Sequence, residues 1–303
     1  MTPQPLELAL PAHYRLQDVL AFHRRDSESV AEQVAAQSLR KGILLDGAPA
    51  VLSISFDHAS TPASAHYSVD LDGDASDTAQ AQLDEVLHNI LGLRLDPQAF
   101  CDFAADDALF GALTRAQPGL RVVQSATLFE ALTWAIIGQQ INLSFAISLR
   151  RTLIQQAGHQ HSSGLWCYPD AAAVAALDAE ALTSRKFSRA KADTVLRLAR
   201  LVADGSLSLH LSEHNDITQV SEALLAVKGI GPWTVNYGLL RGYGYADCSL
   251  HGDVAIRTAL QRLLGEDSKP DLARTEQILA RYRPHRTMAA AHLWASLHPR
   301  SAD

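Results

Sequence analysis

The sequence predicts an α+β protein in which residues 1–95 form an antiparallel sheet with helices and residues 96–303 form helices alone. Three observations lead to this fold class. Alternating apolar and polar residues, separated by turn sequences, are confined to roughly the first hundred positions. Beyond Leu93 the apolar residues recur at helical spacing, and prolines separate the segments. At 303 residues the chain is long enough for two or three units with cores of their own.

The elements of the first part follow from its local patterns. Residues 16–24 have the periodicity of a short amphipathic helix. Strands are predicted at residues 41–45, 51–56 and 66–71, because β-favouring residues there are bounded by turn sequences at 47–49 and 60–64. Apolar residues between Leu83 and Leu91 then fall at helical spacing. We therefore expect a small antiparallel sheet backed by helices.

The second part reads as a series of short helices. Prolines at positions 118, 169, 232, 270 and 284 punctuate the series, as expected where helices begin or end. The predicted helices span residues 129–135, 141–156, 171–181, 190–203, 220–227, 233–241, 254–264, 275–282 and 288–297.

Composition and cysteine usage exclude several classes of protein. No signal peptide or membrane-spanning segment is expected, since the most apolar stretch, residues 131–137, is too short. The cysteines Cys101, Cys167 and Cys248 are too few and too scattered for a disulfide framework or an iron–sulfur cluster. His159 and His161 lie in a polar stretch and are expected at the surface, not on a metal. We expect a soluble, cytoplasmic protein without a cofactor.

The net charge of −7 argues against a nucleic-acid partner without excluding one. Salt screens charges within about 8 Å under physiological conditions, so one basic face can coexist with an acidic total. Two local groups of basic residues could form such a face, although solvated helix surfaces have the same pattern. The first group is Arg185, Lys186, Arg189 and Lys191, and the second is Arg281, Arg283, Arg286 and Arg300.

The segment from Gly229 to Tyr237 carries the strongest chemical signal. Gly229, Ile230 and Gly231 predict a tight turn between two helices, because glycine tolerates positive φ and lets a partner approach the backbone closely. Pro232 suits the first position of the following helix. The free N–H groups at that helix start could bind a phosphate. A helix–turn–helix corner without any ligand would have the same sequence.

Two aromatic residues and one carboxylate follow the turn. Trp233 and Tyr237 are four residues apart and share one helix face. They could pack in a core or stack on a flat, positively charged base. Asp253 stands directly before the apolar helix at 254–264, so it could cap that helix. It could also stabilise the cationic sugar that forms when a glycosidic bond breaks, and one residue could do both.

Further short segments, in a fixed order, extend this signal over nearly the whole chain. They are HYR at 13–15, LRLDP at 93–97, PGLR at 118–121, FEALTWAIIGQQI at 129–141, GIGPWTVNY at 229–237, LRG at 240–242, Asp247 six residues before Asp253, and HLW at 292–294. This set resembles the 3-methyladenine DNA glycosylase II family, within the helix-hairpin-helix DNA glycosylase superfamily. The resemblance implies that the part after the sheet domain is a helix-hairpin-helix core of two subdomains around a cleft.

The resemblance also implies roles for the matching residues. Asp253 matches the catalytic aspartate, and Gln140 matches the side chain that enters the duplex and fills the gap. The side chains around the flipped base match Trp233, Tyr237, Trp294 and, from the N-terminal domain, Phe22. The DNA-binding hairpin matches Gly229, Ile230, Gly231 and Thr234. The carbonyls that hold a monovalent cation in the family match those of Leu225, Val227 and Ile230.

The expected function is that of a monofunctional DNA glycosylase that flips alkylated purines out of double-stranded DNA and excises them, leaving an abasic site. Relatives that also cut the backbone have a nucleophilic lysine where this chain has Trp233, and an indole cannot form the required imine. The protein is expected to act as a monomer, associated with the nucleoid of a bacterial-type cell. The departures His285, Ala295 and Gln140 from the family pattern leave the preferred lesion open.

Other functions fit parts of the same sequence. A non-catalytic module that senses lesions could use the same hairpin and Gln140, but it would need no carboxylate beside the sugar. A glycosylase for other damaged bases, or a glycosylase/lyase for oxidised bases, is a second possibility, although Trp233 speaks against the lyase. A small-molecule enzyme ranks last, because no phosphate-binding glycine motif follows a predicted strand.

Overall fold

The computed structural model describes residues 6–57, 63–74, 76, 78–213 and 215–297. Within these residues one seven-stranded sheet lies beside a set of helices. The strands are β1 (Leu6–Ala9), β2 (Glu32–Val34), β3 (Ser38–Leu45), β4 (Ala48–Asp57), β5 (Ser64–Leu71), β6 (His159–Gln160) and β7 (Trp166–Cys167). Their order is β1-β5-β4-β3-β7-β6, and β2 also pairs with β3. Paired strands are antiparallel except β3 and β7, which are parallel.

Among the described residues, two helices belong to the first part of the chain and the others belong to the second part. In chain order they are α1 (Leu16–His23), α2 (Ala79–Ile90), α3 (Pro97–Phe103), α4 (Gly111–Ala116), α5 (Leu128–Gly138), α6 (Leu143–Ala157), α7 (Ala171–Ala175), α8 (Ala179–Thr183), α9 (Arg189–Ala203), α10 (Ile217–Leu225), α11 (Pro232–Tyr243), α12 (Val254–Leu264), α13 (Leu272–Ala280) and α14 (Arg286–Ser296).

This architecture confirms the predicted α+β class, with differences in detail. The predicted single helix at 171–181 is two helices, because the Asp178 carboxylate accepts a hydrogen bond from the Ala181 N–H and starts α8. Strands β1 and β2 and helices α3 and α4 are too short to give a periodic signal. The predicted turn at 60–64 lies largely outside the described residues.

Two short strands overturn the expectation that strand structure ends near Leu93. β6 and β7 come from the second part of the chain and add to the sheet edge beside β3, with Cys167 opposite Gly42. The turn between them contains His161, which is 1% exposed and therefore not the surface residue that the polar sequence predicted. Its Nε2 lies 3.3 Å from Asp72 Oδ1, and its Nδ1 lies 2.9 Å from Ser163 Oγ.

Apolar side chains form two cores, one under the sheet and one among the helices. Residues of the first part such as Leu20, Leu52 and Ile90 make the sheet core, to which Val123 and Ala126 of the second part also belong. The helical core runs from Phe100 to Leu293 and includes Ala31 of the first part. The domain boundary at residue 95 and the division of the helices into two subdomains stay predictions. None of the described helices combines the length and the apolar character that crossing a bilayer requires.

Four charged side chains join the sheet to the helices, and we call them the buried ionic cluster: Glu32 on β2, Lys41 on β3, Glu130 on α5 and Arg150 on α6. Lys41 Nζ lies 2.6 Å from Glu32 Oε1 and 3.2 Å from Glu130 Oε1. Arg150 Nη2 lies 2.6 Å and 2.9 Å from the same two oxygens. Burial raises the pKa of both carboxyl groups, but the two cations outweigh it and hold both pKa values below their usual range.

Two buried histidines predict that the protein loses stability in mild acid. Burial lowers the pKa of His23 and of His292 to about 4, below the usual 6.5. The unfolded chain therefore binds protons that the folded chain excludes, so this stability is fully present above pH 6.5 and is lost as the pH falls toward 4. Each histidine adds a slope of up to about 1.4 kcal/mol per pH unit to the free energy of unfolding, measured by urea titration between pH 7.5 and 4.5.

The control for this prediction keeps the hydrogen bonds and removes the titration. His23 Nε2 bonds the Ile90 carbonyl, and His292 Nδ1 bonds Gln117 Oε1. A glutamine at position 23 and an asparagine at position 292 place an amide N–H at the corresponding sites. For the double variant His23→Gln/His292→Asn, the free energy of unfolding should depend less on pH between 6.5 and 5. A slope that survives the double substitution would show that other groups cause it.

Candidate active site

The candidate site is built on α11 and on its close packing against α5. Gly238 and Gly242 lie one turn apart on α11, and a Cβ atom at either position would overlap a leucine of α5. The absence of side chains there lets the two helices approach each other. Trp134 on α5 consequently reaches α11, where its Nε1–H donates to the Tyr237 hydroxyl at 3.1 Å.

Three aromatic rings line one side of the site. Trp233 and Tyr237 stack with their centroids 5.1 Å apart and their planes 27° apart. Trp294 of α14 meets Tyr237 edge-on, with centroids 6.3 Å apart. All three side chains are partly exposed and pack against the helical core without being enclosed by it. Their spacing at i and i+4 on α11 therefore produces an accessible aromatic surface.

Asp253 caps α12 and also faces the aromatic rings. Its Oδ1 accepts the N–H groups of Ala255 and Ile256 at 2.8 and 3.1 Å, which makes it the N-cap of α12. Its Oδ2 accepts the Trp233 Nε1–H at 3.0 Å, and the Trp294 Nε1–H approaches Oδ1 at 3.4 Å. Two backbone and two indole N–H groups thus fix a half-buried carboxylate beside the rings.

Neighbouring helices hold the loop that leads to Asp253. Arg286 of α14 forms a two-point ion pair with Asp247, with N–O distances of 2.6 and 3.0 Å. Asn236 of α11 accepts the Ser249 N–H through its Oδ1 at 2.8 Å. The start of α12 is therefore attached to α11 and α14, the two helices that carry the aromatic rings.

A guanidinium group lies against the same rings. The Cζ atom of Arg241 is 4.9, 5.8 and 5.5 Å from the ring centroids of Phe22, Tyr237 and Trp294. Its Nη1 donates to the Val123 carbonyl at 2.5 Å. Cation–π contacts of this kind are favourable where the rings are partly desolvated. Arg241 thus connects Phe22 on α1 to the site, so the site contains a fixed positive charge as well as aromatic surface.

Sequence reasoning missed three residues of this arrangement: Trp134, Arg241 and Arg25. The Arg25 guanidinium stacks on Phe22 at 3.9 Å and lies 5.2 Å from the Trp134 ring. Trp134 and Arg241 stand inside the segments FEALTWAIIGQQI and LRG, so these motifs could have identified them. Arg25 has no comparable signal, because its contact with the Trp134 ring joins segments that are more than 100 residues apart in the chain.

An open cleft of about 780 Å³ adjoins the site. Phe22, Arg241 and Trp294 are among its lining residues, together with Gln117 and Ala295. Trp294 also approaches the Asp253 carboxylate, so this side chain borders both the cleft and the carboxylate. The volume of the cleft is within the usual range of about 300–1,000 Å³ for small-molecule pockets.

The predicted hairpin connects α10 to α11. Gly229 has φ = 100°, and a Cβ there would collide with the Thr194 side chain, so both the conformation and the space require glycine. Ile230 is 6% exposed and packs in the helical core, and its N–H donates to the Val227 carbonyl at 3.0 Å. Gly231 is the N-cap of α11, with Pro232 at its first position. No side chain caps this helix start, and Pro232 is exposed.

Two further predicted DNA-binding residues lie in different environments. Gln140 is exposed and has φ = 56° in the turn between α5 and α6, an uncommon conformation for a residue other than glycine. Thr234 is 2% exposed, and its hydroxyl accepts a hydrogen bond from Gln139 Nε2 at 2.9 Å. The Thr234 side chain is therefore not available to a ligand, and only its backbone N–H lies at the helix start.

The two basic groups predicted from sequence differ in their pairing. In the second group Arg286, Arg281 and Arg283 lie within 4 Å of carboxylates, while Arg300 is outside the described residues. In the first group Arg189 pairs with Asp193, and Lys191 donates to backbone carbonyls. Arg185 and Lys186 of the first group are exposed.

Comparisons with known proteins agree with this geometry. Residues 133–284, which include the hairpin and Asp253, match the family described as HhH-GPD superfamily base excision DNA repair protein. A DNA-3-methyladenine glycosylase of Bacillus subtilis (strain 168) is 30% identical over 215 residues, which are 70% of this chain and 71% of that protein. A second B. subtilis protein, YfjP, has the same activity in its name and is 31% identical over 186 residues, or 61% of this chain. That match spans 64% of its own length.

A solved structure gives the same fold over almost the full chain. The 3-methyladenine DNA-glycosylase from Archaeoglobus fulgidus superposes with a TM-score of 0.78 at 20% identity, covering 96% of this chain and 97% of that one. The fold of the sheet-containing first part is therefore shared, although the family match is confined to the second part of the chain. On the matched half of the sequence, with its hairpin and capping aspartate, the chain belongs to the HhH-GPD superfamily of base excision DNA repair proteins.

Proposed function

We propose that this protein is a monofunctional DNA glycosylase that excises alkylated purines, 3-methyladenine and 7-methylguanine among them, from double-stranded DNA. The observation that carries the proposal is the Asp253 carboxylate, fixed by the indole N–H groups of Trp233 and Trp294 beside an accessible aromatic surface. A negative group beside stacking rings suits cleavage of the bond between a cationic base and its sugar.

Binding to DNA would depend on contacts with backbone phosphates and on a side chain that fills the gap left by the flipped base. The open N-terminus of α11 after Gly231 offers N–H groups and a positive dipole to a backbone phosphate. Gln140, exposed at the tip of its turn, would enter the stack as the damaged nucleotide rotates out. Neither contact reads sequence, which suits an enzyme that must act wherever damage occurs.

Chemistry would follow once the base lies against Trp233 and Tyr237. Methylation at N3 or N7 gives the purine a positive charge, so it leaves readily with its bonding electrons. The sugar then carries positive charge, and the fixed Asp253 carboxylate stabilises it without reorganising. Water attacks the sugar carbon, Asp253 helps to orient or deprotonate it, and an abasic site remains. No lysine is needed for this route.

The family resemblance also implies a monovalent cation at the hairpin, held by the carbonyls of Leu225, Val227 and Ile230. The Val227 carbonyl already accepts the Ile230 N–H at 3.0 Å, and a carbonyl oxygen keeps a second lone pair for a cation. The turn is therefore compatible with the cation. A bound cation would supply a positive charge next to the phosphate site.

A distinctive outcome of this proposal is that no covalent enzyme–DNA complex forms. Trp233 occupies the position at which glycosylase/lyases carry their lysine, so no imine with the abasic sugar is expected. Incubating the protein with abasic duplex and sodium borohydride should give no band of combined mass. A glycosylase/lyase on the same DNA serves as the positive control. A trapped band with this protein would instead assign it to the bifunctional class.

The direct test is chromatography of the bases released from methylated double-stranded DNA. We expect 3-methyladenine and 7-methylguanine in the soluble fraction, above spontaneous release from the same DNA. A protein that binds this DNA but releases nothing would be the non-catalytic lesion-sensing module. Release of only oxidised or deaminated bases would assign it to other damage.

A further inference from the structure

The turn that carries Gln140 is attached to the DNA-binding hairpin by one side chain. Gln139 Nε2 donates to the Thr234 hydroxyl at 2.9 Å and approaches the Gly229 carbonyl at 3.3 Å. Gly229 is the first glycine of the hairpin, and Thr234 is in the first turn of α11. Gln139 and Gln140 are adjacent, so this bridge fixes the backbone from which Gln140 projects.

A second attachment holds the same turn from α9. Lys191 Nζ donates to the carbonyls of Ile137 and Gln139 at 2.5 and 2.7 Å. These carbonyls belong to the C-terminal end of α5, where helix carbonyls have no partner within the helix. The α5–α6 turn is therefore tied on one side to α9 and on the other to the hairpin.

The conformation of Gln140 explains why such attachments are needed. Its φ of 56° is sparsely populated by side chains other than glycine, and such residues persist only where their surroundings enforce them. Gln140 itself is exposed. The enforcing contacts must therefore come from its neighbours, and Gln139 supplies one through the hydroxyl of Thr234, which is 2% exposed.

From this geometry we infer that Gln139 is a positioning residue for lesion recognition. The bridge to Thr234 fixes the distance between the site that binds a phosphate and the side chain that fills the gap. Gln139 does not touch the reacting atoms; it acts through Gln140. The inference rests on the proposed function, because it assumes that Gln140 enters the duplex.

A double-mutant cycle tests the inference in the full chain. The readouts are fluorescence of 2-aminopurine placed beside a tetrahydrofuran abasic analogue, which needs no excision, and the single-turnover rate of 7-methylguanine release. We expect Gln140→Ala and Gln139→Ala each to lower the rate by roughly 5- to 20-fold, and the double variant to be no slower than Gln140→Ala alone. The fluorescence changes should follow the same pattern.

A matched pair of substitutions at position 234 separates the bridge from general stability. Thr234→Ser keeps the acceptor hydroxyl, so it should keep the bridge and lose much less of the rate than Thr234→Val. Thr234→Val has the same shape without an acceptor and should reproduce Gln139→Ala. The affinity of Gln139→Ala for undamaged duplex should stay unchanged, whereas a merely structural residue would lower the affinity and the rate together. Its Tm should fall no further than that of Thr234→Val, because both variants lose the same hydrogen bond. If Thr234→Val fails to fold, the cycle between Gln139 and Gln140 still decides.

The outcomes are distinguishable from failure of the proposed function. The positioning role would be overturned if the rate losses of the two single variants multiply in the double variant, or if Gln139→Ala loses no rate. In either case the unchanged protein would still release base, so the proposed function would stand. Full activity of Gln140→Ala would overturn the positioning role too, because nothing would then need positioning. A protein that releases no base at all would refute the glycosylase proposal, and the fluorescence cycle would still report on the bridge.

Discussion

Replacing Asp253 by asparagine is expected to lower the rate of alkylated-base release by at least about 10²-fold, the usual size of losing one preorganised electrostatic contact in an active site. The reason is charge. The asparagine side chain would have nearly the shape of the aspartate but could not stabilise a cationic sugar or accept a proton from water. The measurement is single-turnover release of 7-methylguanine from a defined duplex, with the spontaneous rate subtracted.

This substitution tests chemistry without removing the helix cap. Asparagine is as good an N-cap as aspartate, and its oxygen can accept the N–H groups of Ala255 and Ile256 in the same way. Its amide group would face the Trp233 Nε1–H, so one hydrogen bond is lost. We therefore expect a folded protein with near-normal affinity for abasic DNA.

Asp271 offers a matched control. It caps α13 in the same manner, with its carboxylate accepting the Arg274 N–H at 2.8 Å, and it is not among the residues that contact the aromatic surface. Asp271→Asn makes the same chemical change at the same kind of position and should leave the rate within a factor of about two. A rate for Asp253→Asn close to that of Asp271→Asn would show that the carboxylate has no catalytic role.

The parts of the site that sequence predicted are those whose roles depend on local spacing. Trp233 and Tyr237 share a helix face because they are four residues apart, and Asp253 precedes an apolar helix, so its capping position follows from the sequence alone. Gly229 is similar, since a positive φ and a crowded turn demand glycine whatever the partner. The structure places these residues together because α11 and α12 are close neighbours in the chain.

The parts that sequence could not predict depend on contacts between distant segments. Arg25 and Arg241 are far apart in the chain, yet the guanidinium groups of both lie over the Phe22 ring. His161 is buried because β7 pairs with β3, and a two-residue strand has no periodic signal. The family resemblance implies a DNA contact for Thr234, which stands beside the hairpin. Its side chain instead faces Gln139, which donates a hydrogen bond to the hydroxyl.

The buried ionic cluster is connected to the aromatic surface through α5. Glu130 and Trp134 are four residues apart on α5, so the ion pairs of Glu130 and the hydrogen bond from Trp134 to Tyr237 involve one helix face. The cluster also holds β2 and β3 against α5 and α6. Contacts through α5 therefore link the sheet to the aromatic surface, although no sheet strand contributes a residue to that surface.

Lys41→Met is expected to destabilise the protein by about 3–5 kcal/mol, the usual cost of removing one partner from a buried ion pair. The remaining Arg150 cannot balance two carboxylates that are about as buried as a core residue, with exposures of 6% and 5%. Urea unfolding at pH 7.5, followed by far-UV circular dichroism, measures the loss. The pKa values of Glu32 and Glu130 are held low, so the stability that they contribute is present above about pH 4.3 and is lost as the pH falls below it.

Two companion variants decide whether burial of an unpaired charge is the cause. Arg189→Met breaks an ion pair with Asp193 that is 72% and 41% exposed, and it should cost less than about 1 kcal/mol. Lys41→Met/Glu130→Gln removes one charge of each sign and leaves the two-point pair between Arg150 and Glu32, with N–O distances of 2.6 and 3.1 Å. The double variant should therefore be more stable than Lys41→Met alone. If the double variant is instead less stable than Lys41→Met, the energetic costs of losing the Lys41 and Glu130 contacts add. Charge balance would then not be what holds the sheet to the helices.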